Sequence, residues 1–221
     1  MAIKVQEIAD RIQSALRDAG QDNWAEDVIY LAIYEAEKVI VNYRPDAYPV
    51  NAVLTCVAGI TQTLVGLTPA PNRLLDVKYN RAGDVDGRSV KRISQGDLDA
   101  IKPNWRSASQ STTVREFMHD DREPLIFYTN PPAASGAKLQ ISYSAIPAVY
   151  GTVGVNTVVS VTDMYEPMIL EWALYRLFGH DVEGTVNLSR SSQHLNTFQN
   201  MMGIKVQADL ANSPRNQENK R

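Results

Sequence analysis

A single cysteine, Cys56, stands in 221 residues. One thiol excludes an internal disulfide framework and a cysteine-rich zinc module. Surplus charge is lacking as well: 22 Lys and Arg against 25 Asp and Glu leave a formal net charge of −3. A chain that grips nucleic acid through phosphate contacts is usually basic, so that class loses weight. Two stretches, 47–72 and 139–162, carry no charge and are long enough to span a bilayer on length alone. Pro, Gly, Asn, Gln, Thr and Ser interrupt both, so they read as buried β-structure and no membrane is expected as a partner. The opening residues, Met1-Ala2-Ile3-Lys4-Val5-Gln6, show neither the apolar core nor the cleavage site of a signal peptide. The expected product is therefore an untargeted one made in the cytoplasm. Also missing are the G-x-x-x-x-G-K-[ST] phosphate loop, the G-x-S-x-G elbow, the H-E-x-x-H metal motif and any repeat of 20–50 residues.

What is present describes a folded chain. The length suits one large domain or two small ones and permits burial of roughly 70% of the unfolded surface without a staple. A content of 44% hydrophobic and 21% charged residues argues against disorder. Val5, Ile8, Ala9, Ile12, Ala15, Leu16 and Ala19 recur at helical spacing, with Gly20 as the stop. Asn23 and Glu26 have capping-box spacing and open a second helix, Trp24 to Tyr43. Its predicted inner side holds Trp24, Val28, Leu31, Ala32, Glu35, Ala36, Val39 and Tyr43, and Arg44-Pro45 ends it. From Tyr48 to about Pro147, β-branched and aromatic residues alternate with polar ones between turn signals. Strands are predicted at Val53–Val57, Leu74–Tyr79 and Ser89–Ile93, the last after a turn at Asp84-Val85-Asp86-Gly87. A short helix is predicted at Gln95–Ile101, capped near Ser94, and a hairpin from Val114–Met118 and Leu125–Thr129. Lys138–Tyr143 alternates so regularly that one wet face is expected. Helix returns with Asp163 as cap, Glu166 three residues on and Pro167 in the first turn. Met168, Ile169, Trp172, Leu174, Tyr175, Leu177 and Phe178 make that helix apolar on several sides, and a sparser one follows over Leu188–Leu210.

The expected fold class is α+β: a helical bundle built from both chain ends, 1–48 and 163–212, with a central β-rich insertion, sandwich or barrel-like, over 49–162. Residues 213–221 are expected to form a flexible C-terminal arm. They are polar and mildly basic, with Arg215, Lys220 and Arg221 against Glu218.

Candidate chemistry is sparse. Gly151-Thr152-Val153-Gly154 does not complete a dinucleotide fingerprint. His119-Asp120-Asp121 with Asp84 and Asp86 offers metal-ligand types, yet Asp-x-Asp-Gly is an ordinary turn and the downstream glutamate of a calcium loop is missing. His180-Asp181 reads as a histidine meeting a helix dipole, and His194 as part of a solvated face. Cys56 reads as a small buried hydrophobe. Trp24, Trp105 and Trp172 read as anchors of the core or of a subunit contact. No catalytic, cofactor-binding or metal site is expected, and the default is a binding or structural role.

A collinear series of segments adds to this. It runs through Asn23–Ala47 (NWAEDVIYLAIYEAEKVIVNYRPDA), Gly59-Ile60-Thr61-Gln62-Thr63-Leu64, and Arg73-Leu74-Leu75-Asp76-Val77 with Asn80. Gly87-Arg88, Leu98-Asp99, Pro103-Asn104-Trp105, Asp121–Tyr128, Pro131-Pro132, Leu139–Tyr143, Pro147 and the Tyr165–Asp181 helix complete it. The order resembles the head-to-tail adaptor, or connector, proteins of short-tailed bacteriophages over about residues 20 to 205. It departs where Leu64-Val65 replaces the usual Leu-Pro, shifted by a residue.

The resemblance implies a structural, non-enzymatic virion protein of the neck. It implies a ring of about twelve copies, a dodecamer, joining the portal protein to the tail tube or nozzle. Double-stranded DNA would pass through the lumen without specific binding, which a mildly acidic chain suits. It also implies a portal-docking arm, here Ser213, Pro214, Arg215, Lys220 and Arg221. The candidates for subunit contact are Trp24, Trp172 and Tyr175, with the exposed sides of the Trp24 and Trp172 helices as the faces. The competing reading is a tail or nozzle component whose β-domain binds a ligand.

Overall fold

The computed structural model describes residues 3–17, 23–83, 85–150, 157–180 and 185–212. Gly20, Asp84, Gly151, Gly154, Asp181, Gly184 and the arm residues Ser213, Pro214, Arg215, Lys220 and Arg221 lie outside them. The chain is mixed α+β and divides into two units, Met1–Tyr43 with Pro147–Arg221, and Arg44–Ile146. The sequence placed the second boundary later, at 162.

In the first unit, α1 (Val5–Leu16) buries Val5, Ile8, Ala9 and Ile12. It stops at Arg17, which takes the left-handed conformation (φ 57°) and donates its N–H to Gln13 and Ser14 carbonyls. The predicted glycine stop at residue 20 is thus preceded by a non-glycine one. Residues 3–5 pair with 157–159: Val5 N–H donates to Thr157 O and Val159 N–H to Ile3 O.

Helix α2 (Glu26–Tyr43) buries Ile29, Tyr30, Ala32, Ile33, Ala36, Glu37, Ile40 and Val41. The predicted inner side is corrected by roughly one residue, because Leu31 is 51% and Tyr43 67% exposed. Helix α4 (Glu166–His180), preceded by a 3-10 turn at Asp163–Tyr165, contacts α1, α2 and α5 (Thr185–Asn212). Its apolar girth follows from having three helical neighbours. Among the described residues no helix is long and apolar enough to cross a membrane.

The second unit has two four-stranded sheets. The strands are β1 (Pro49–Thr55), β2 (Gly59–Thr63), β3 (Pro71–Ala82), β4 (Val85–Ser89), β5 (Lys91–Arg92), β6 (Glu116–Met118), β7 (Ile126–Ala133) and β8 (Lys138–Ala145). One sheet runs β1-β8-β3-β4 and the other β2-β7-β6-β5. Leu54, Leu74, Val77, Leu139, Ile141 and Tyr143 from the first meet Phe117, Phe127 and Ala133 from the second in one apolar core.

Helix α3 (Gln95–Ile101) is capped as expected, Ser94 Oγ accepting the Asp97 N–H. The predicted hairpin is β6–β7, with Met118 opposite Tyr128. Three expectations are corrected. Strand β8 has no wet face: Gln140, Ser142 and Ser144 are buried along with Leu139, Ile141 and Tyr143, because β8 is central and flanked by β1 and β3. The predicted Ser89–Ile93 strand is split by Val90 between two sheets. The predicted Asp84–Gly87 turn is mostly strand β4, and Gly83 supplies the positive φ (64°) of the tight turn before it.

Candidate assembly surfaces

The residues with catalytic potential are occupied by folding. His119 is buried, and its Nδ1 sits 2.9 Å from Ile126 O. A carbonyl only accepts, so Nδ1 carries the proton and the ring braces the hairpin turn. Asp121 Oδ1 lies 3.8 Å from the other ring nitrogen, but the carboxylate is largely exposed. Asp86 faces Arg81 at 3.8 Å. Among the described residues no group of three His, Cys, Asp or Glu is placed to hold a metal. The Cys56 thiol is pushed up to about 11 by burial, leaving it a protonated hydrophobe at neutral pH. His194 is not on a solvated face: it donates from Nδ1 to Glu171 at 2.7 Å and stacks on Phe178 at 5.5 Å.

Two features organise the helical unit. One is Glu37, fully buried on α2. Ser160 and Val161 N–H donate to its Oε1 at 2.6 and 3.2 Å, and the Tyr150 hydroxyl donates to Oε2 at 2.6 Å. Burial raises the Glu37 carboxyl above its usual range, against the lowering effect of these three donors. The same burial, together with the adjacent carboxylate, raises the Tyr150 hydroxyl. The carboxylate therefore fastens 150 and 160–161 to α2.

The other feature is the α4–α5 seam. Trp172 lies 5.1 Å from Phe198 and 5.2 Å from Tyr175, ring centre to ring centre. Ser191 Oγ donates to Tyr175 O at 2.9 Å, opposite Gly179, where an added Cβ would sit 3.2 Å from that hydroxyl. Of the subunit-contact candidates, Trp172 and Tyr175 are thus half-buried in this seam, and Trp24 is half-buried at the entry to α2. Large apolar side chains that stay exposed in this unit are Leu31, Tyr43, Val149, Val158, Met164 and Leu188.

In the β unit, Asn80 ties the β3–β4 hairpin to residue 114. Its Nδ2 donates to Arg88 O and Val114 O, both at 2.8 Å, while Oδ1 accepts Val114 N–H at 2.7 Å. Replacement by alanine leaves a buried amide and carbonyl unmade. Asn80→Ala is expected to cost about 2 kcal/mol, measured by urea unfolding with an unchanged m-value. Beside it opens a groove of about 850 Å³ between Arg88, Lys102, Arg115, Asn104, Gln110 and Pro131, with Trp105 at its floor. The Trp105 indole donates to Asp99 at 2.7 Å and is covered by Arg106 at 4.5 Å. Trp105 is buried as the core anchor the sequence suggested, packed with Leu98 and Met118.

Neither Glu37 nor Asn80 stood out in the sequence as a structural tie. Both are single polar residues that tie to segments 34 or more positions away, and no local pattern reports that. No curated protein matches the chain. The family model described as SU10 adaptor protein matches residues 3–218.

Proposed function

The chain belongs to the SU10 adaptor protein family, and from that premise we propose that it joins head to tail in a phage virion, without catalysis. The family match over nearly the whole chain is the observation that carries this reading. In it, the helices of both chain ends form one bundle, the β unit is inserted between them, and copies close into a ring of about twelve. The ring continues the DNA channel from the portal protein to the tail tube or nozzle, in the virion neck. Heterologous ring contacts need two different faces per copy; Leu31 and Tyr43 on α2 and Val149, Val158 and Met164 are exposed apolar material for them, and Trp24, Trp172 and Tyr175 remain the candidate contact residues. Residues 213–221, which include Ser213 and Pro214, are the portal-docking arm, and Arg215, Lys220 and Arg221 supply the charge that meets acidic ground on the portal.

The test is co-sedimentation of the purified chain with the portal of its own phage. Deleting 213–221 is expected to weaken binding at least tenfold, with the deleted chain melting as the parent does. Equal binding discards the arm and keeps the adaptor. Failure of the intact chain to bind discards the adaptor.

A further inference from the structure

The longest uncharged stretch, 47–72, contains β1 and β2, and both are edge strands. The backbone bonds from Ala145 N–H to Tyr48 O and from Cys56 N–H to Ala137 O lie in the same register as the β1–β8 pairs. They set the parity: Val50, Ala52 and Leu54 turn their amides and carbonyls to β8, and Asn51, Val53 and Thr55 turn theirs outward. Among the described residues nothing pairs with that outward row. Proteins usually guard such an edge with charge or an obstructing bulge. Strand β1 has neither: its seven residues are uncharged, its register with β8 is unbroken, and Pro49, at its very start, is the one residue of the outward row that offers no N–H.

The opposite edges differ. Strands β4 and β5 are joined by Val90 alone, so both sheets expose their other edges together. Val90 N–H donates to Lys78 O beside the Tyr79–Ser89 pair, which turns the Ser89 backbone outward. All five β4 residues are exposed. Arg88, Lys91, Arg92 and Arg115 lie along this side, and among the described residues no carboxylate is in ion-pair reach of any of them.

The geometry points to a second copy of this chain as the occupant: β4 of one copy adds to β1 of the next, extending β1-β8-β3-β4 from subunit to subunit. Three observations carry it. Every pairing in that sheet is antiparallel, so β4 laid beside β1 of a copy in the same orientation continues the alternation. The β1 edge is uncharged and the β4–β5 edge carries a surplus of cations, which disfavours β4 on β4 and leaves β1 as the unlike edge for it to meet. An outward row of donors and acceptors on β1 supplies the main-chain bonds of strand addition. This contact rests on the ring reading above.

The test uses the full-length chain with and without its portal. In hydrogen exchange, peptides spanning 49–57 and 85–92 are expected to exchange quickly when free and at least tenfold more slowly in assembled rings. Val53→Pro removes an outward N–H while sparing the β8 ladder, a position where an edge strand tolerates proline. It is expected to weaken ring formation at least tenfold with the free chain's melting temperature unchanged; Ser89→Pro does the same from the other edge, and Val53→Thr has no effect. Rings that form while both peptides stay unprotected, or that form normally in both proline variants, overturn the contact and leave the adaptor standing. Particles that stop at pairs protected at 49–57 alone assign β1 to its own copy and overturn it as well. Absence of rings from the parent chain overturns the ring reading and this contact together.

Discussion

Glu37→Ala is expected to lower the unfolding free energy by about 3 kcal/mol, because it strands buried backbone N–H groups at Ser160 and Val161 and unhooks Tyr150. Glu37→Gln separates the charge from the bonds. An amide oxygen still accepts from 160 and 161, and the amide nitrogen donates to Tyr150. The two variants therefore part company with pH. Burial raises the Glu37 carboxyl, so in the window from the ordinary carboxylate range up to the raised value the folded chain holds a proton that the unfolded chain has released. That contribution to stability is complete below the ordinary range and is lost as pH rises through the raised value. Relative to the parent, Glu37→Gln is expected to gain stability from pH 4 to pH 7, while Glu37→Ala stays destabilised throughout. Chemical denaturation at a series of pH values measures both. A Gln variant whose difference from the parent is flat with pH would show that Glu37 titrates alike folded and unfolded.

The second large effect belongs to the α4–α5 seam. Phe198→Ala is expected to cost about 4 kcal/mol, the usual loss for emptying a fully buried aromatic site. The seam has few apolar residues in reserve. Among the described residues of α5 those buried are Ser191, Phe198 and Met202, and polar ties at Ser191 and His194 join them. Loss of the Phe198 ring therefore should loosen α5 from α4 locally as well as lower global stability. Hydrogen exchange of a 188–203 peptide is expected to accelerate more than that of 29–41 in α2. Leu188→Ala, at a side chain 69% exposed, is the matched control and should change neither. Since α5 leads into the proposed arm, Phe198→Ala should also weaken portal binding.

The legible parts of this chain are those decided within a few residues. Ala15 of the α1 stripe is exposed, but the first turns of that stripe (Val5, Ile8, Ala9 and Ile12), the Ser94 cap of α3 and the β6–β7 hairpin depend on neighbours in sequence and read correctly. The buried side of α2 did not, because Val28, Ile29, Tyr30, Leu31, Ile33, Val39, Ile40 and Val41 leave it apolar nearly all round. What selects Ile29, Ile33 and Ile40 is packing against α1 and α4 together with the Glu37 ties. Strand β8 misled for a related reason: alternation reports a wet face only when one side of the sheet is open, and Gln140, Ser142 and Ser144 are covered. The split at Val90 depends on which sheet each half joins, a matter of pairing across tens of residues. The family could be recognised from ordered segments spread along the chain, whereas the residues that hold assembly surfaces in place are isolated polar positions with remote partners.

The central claim is a ring seated on the portal, and imaging tests it most directly. Purified chain is mixed with the portal of its own phage, and the particles are averaged by electron microscopy. The account predicts a closed ring of added density on the tail-facing end, of one copy per portal subunit or thereabouts, with an open lumen. Portal particles that carry no added density at saturating chain, or density confined to scattered single copies, would contradict it.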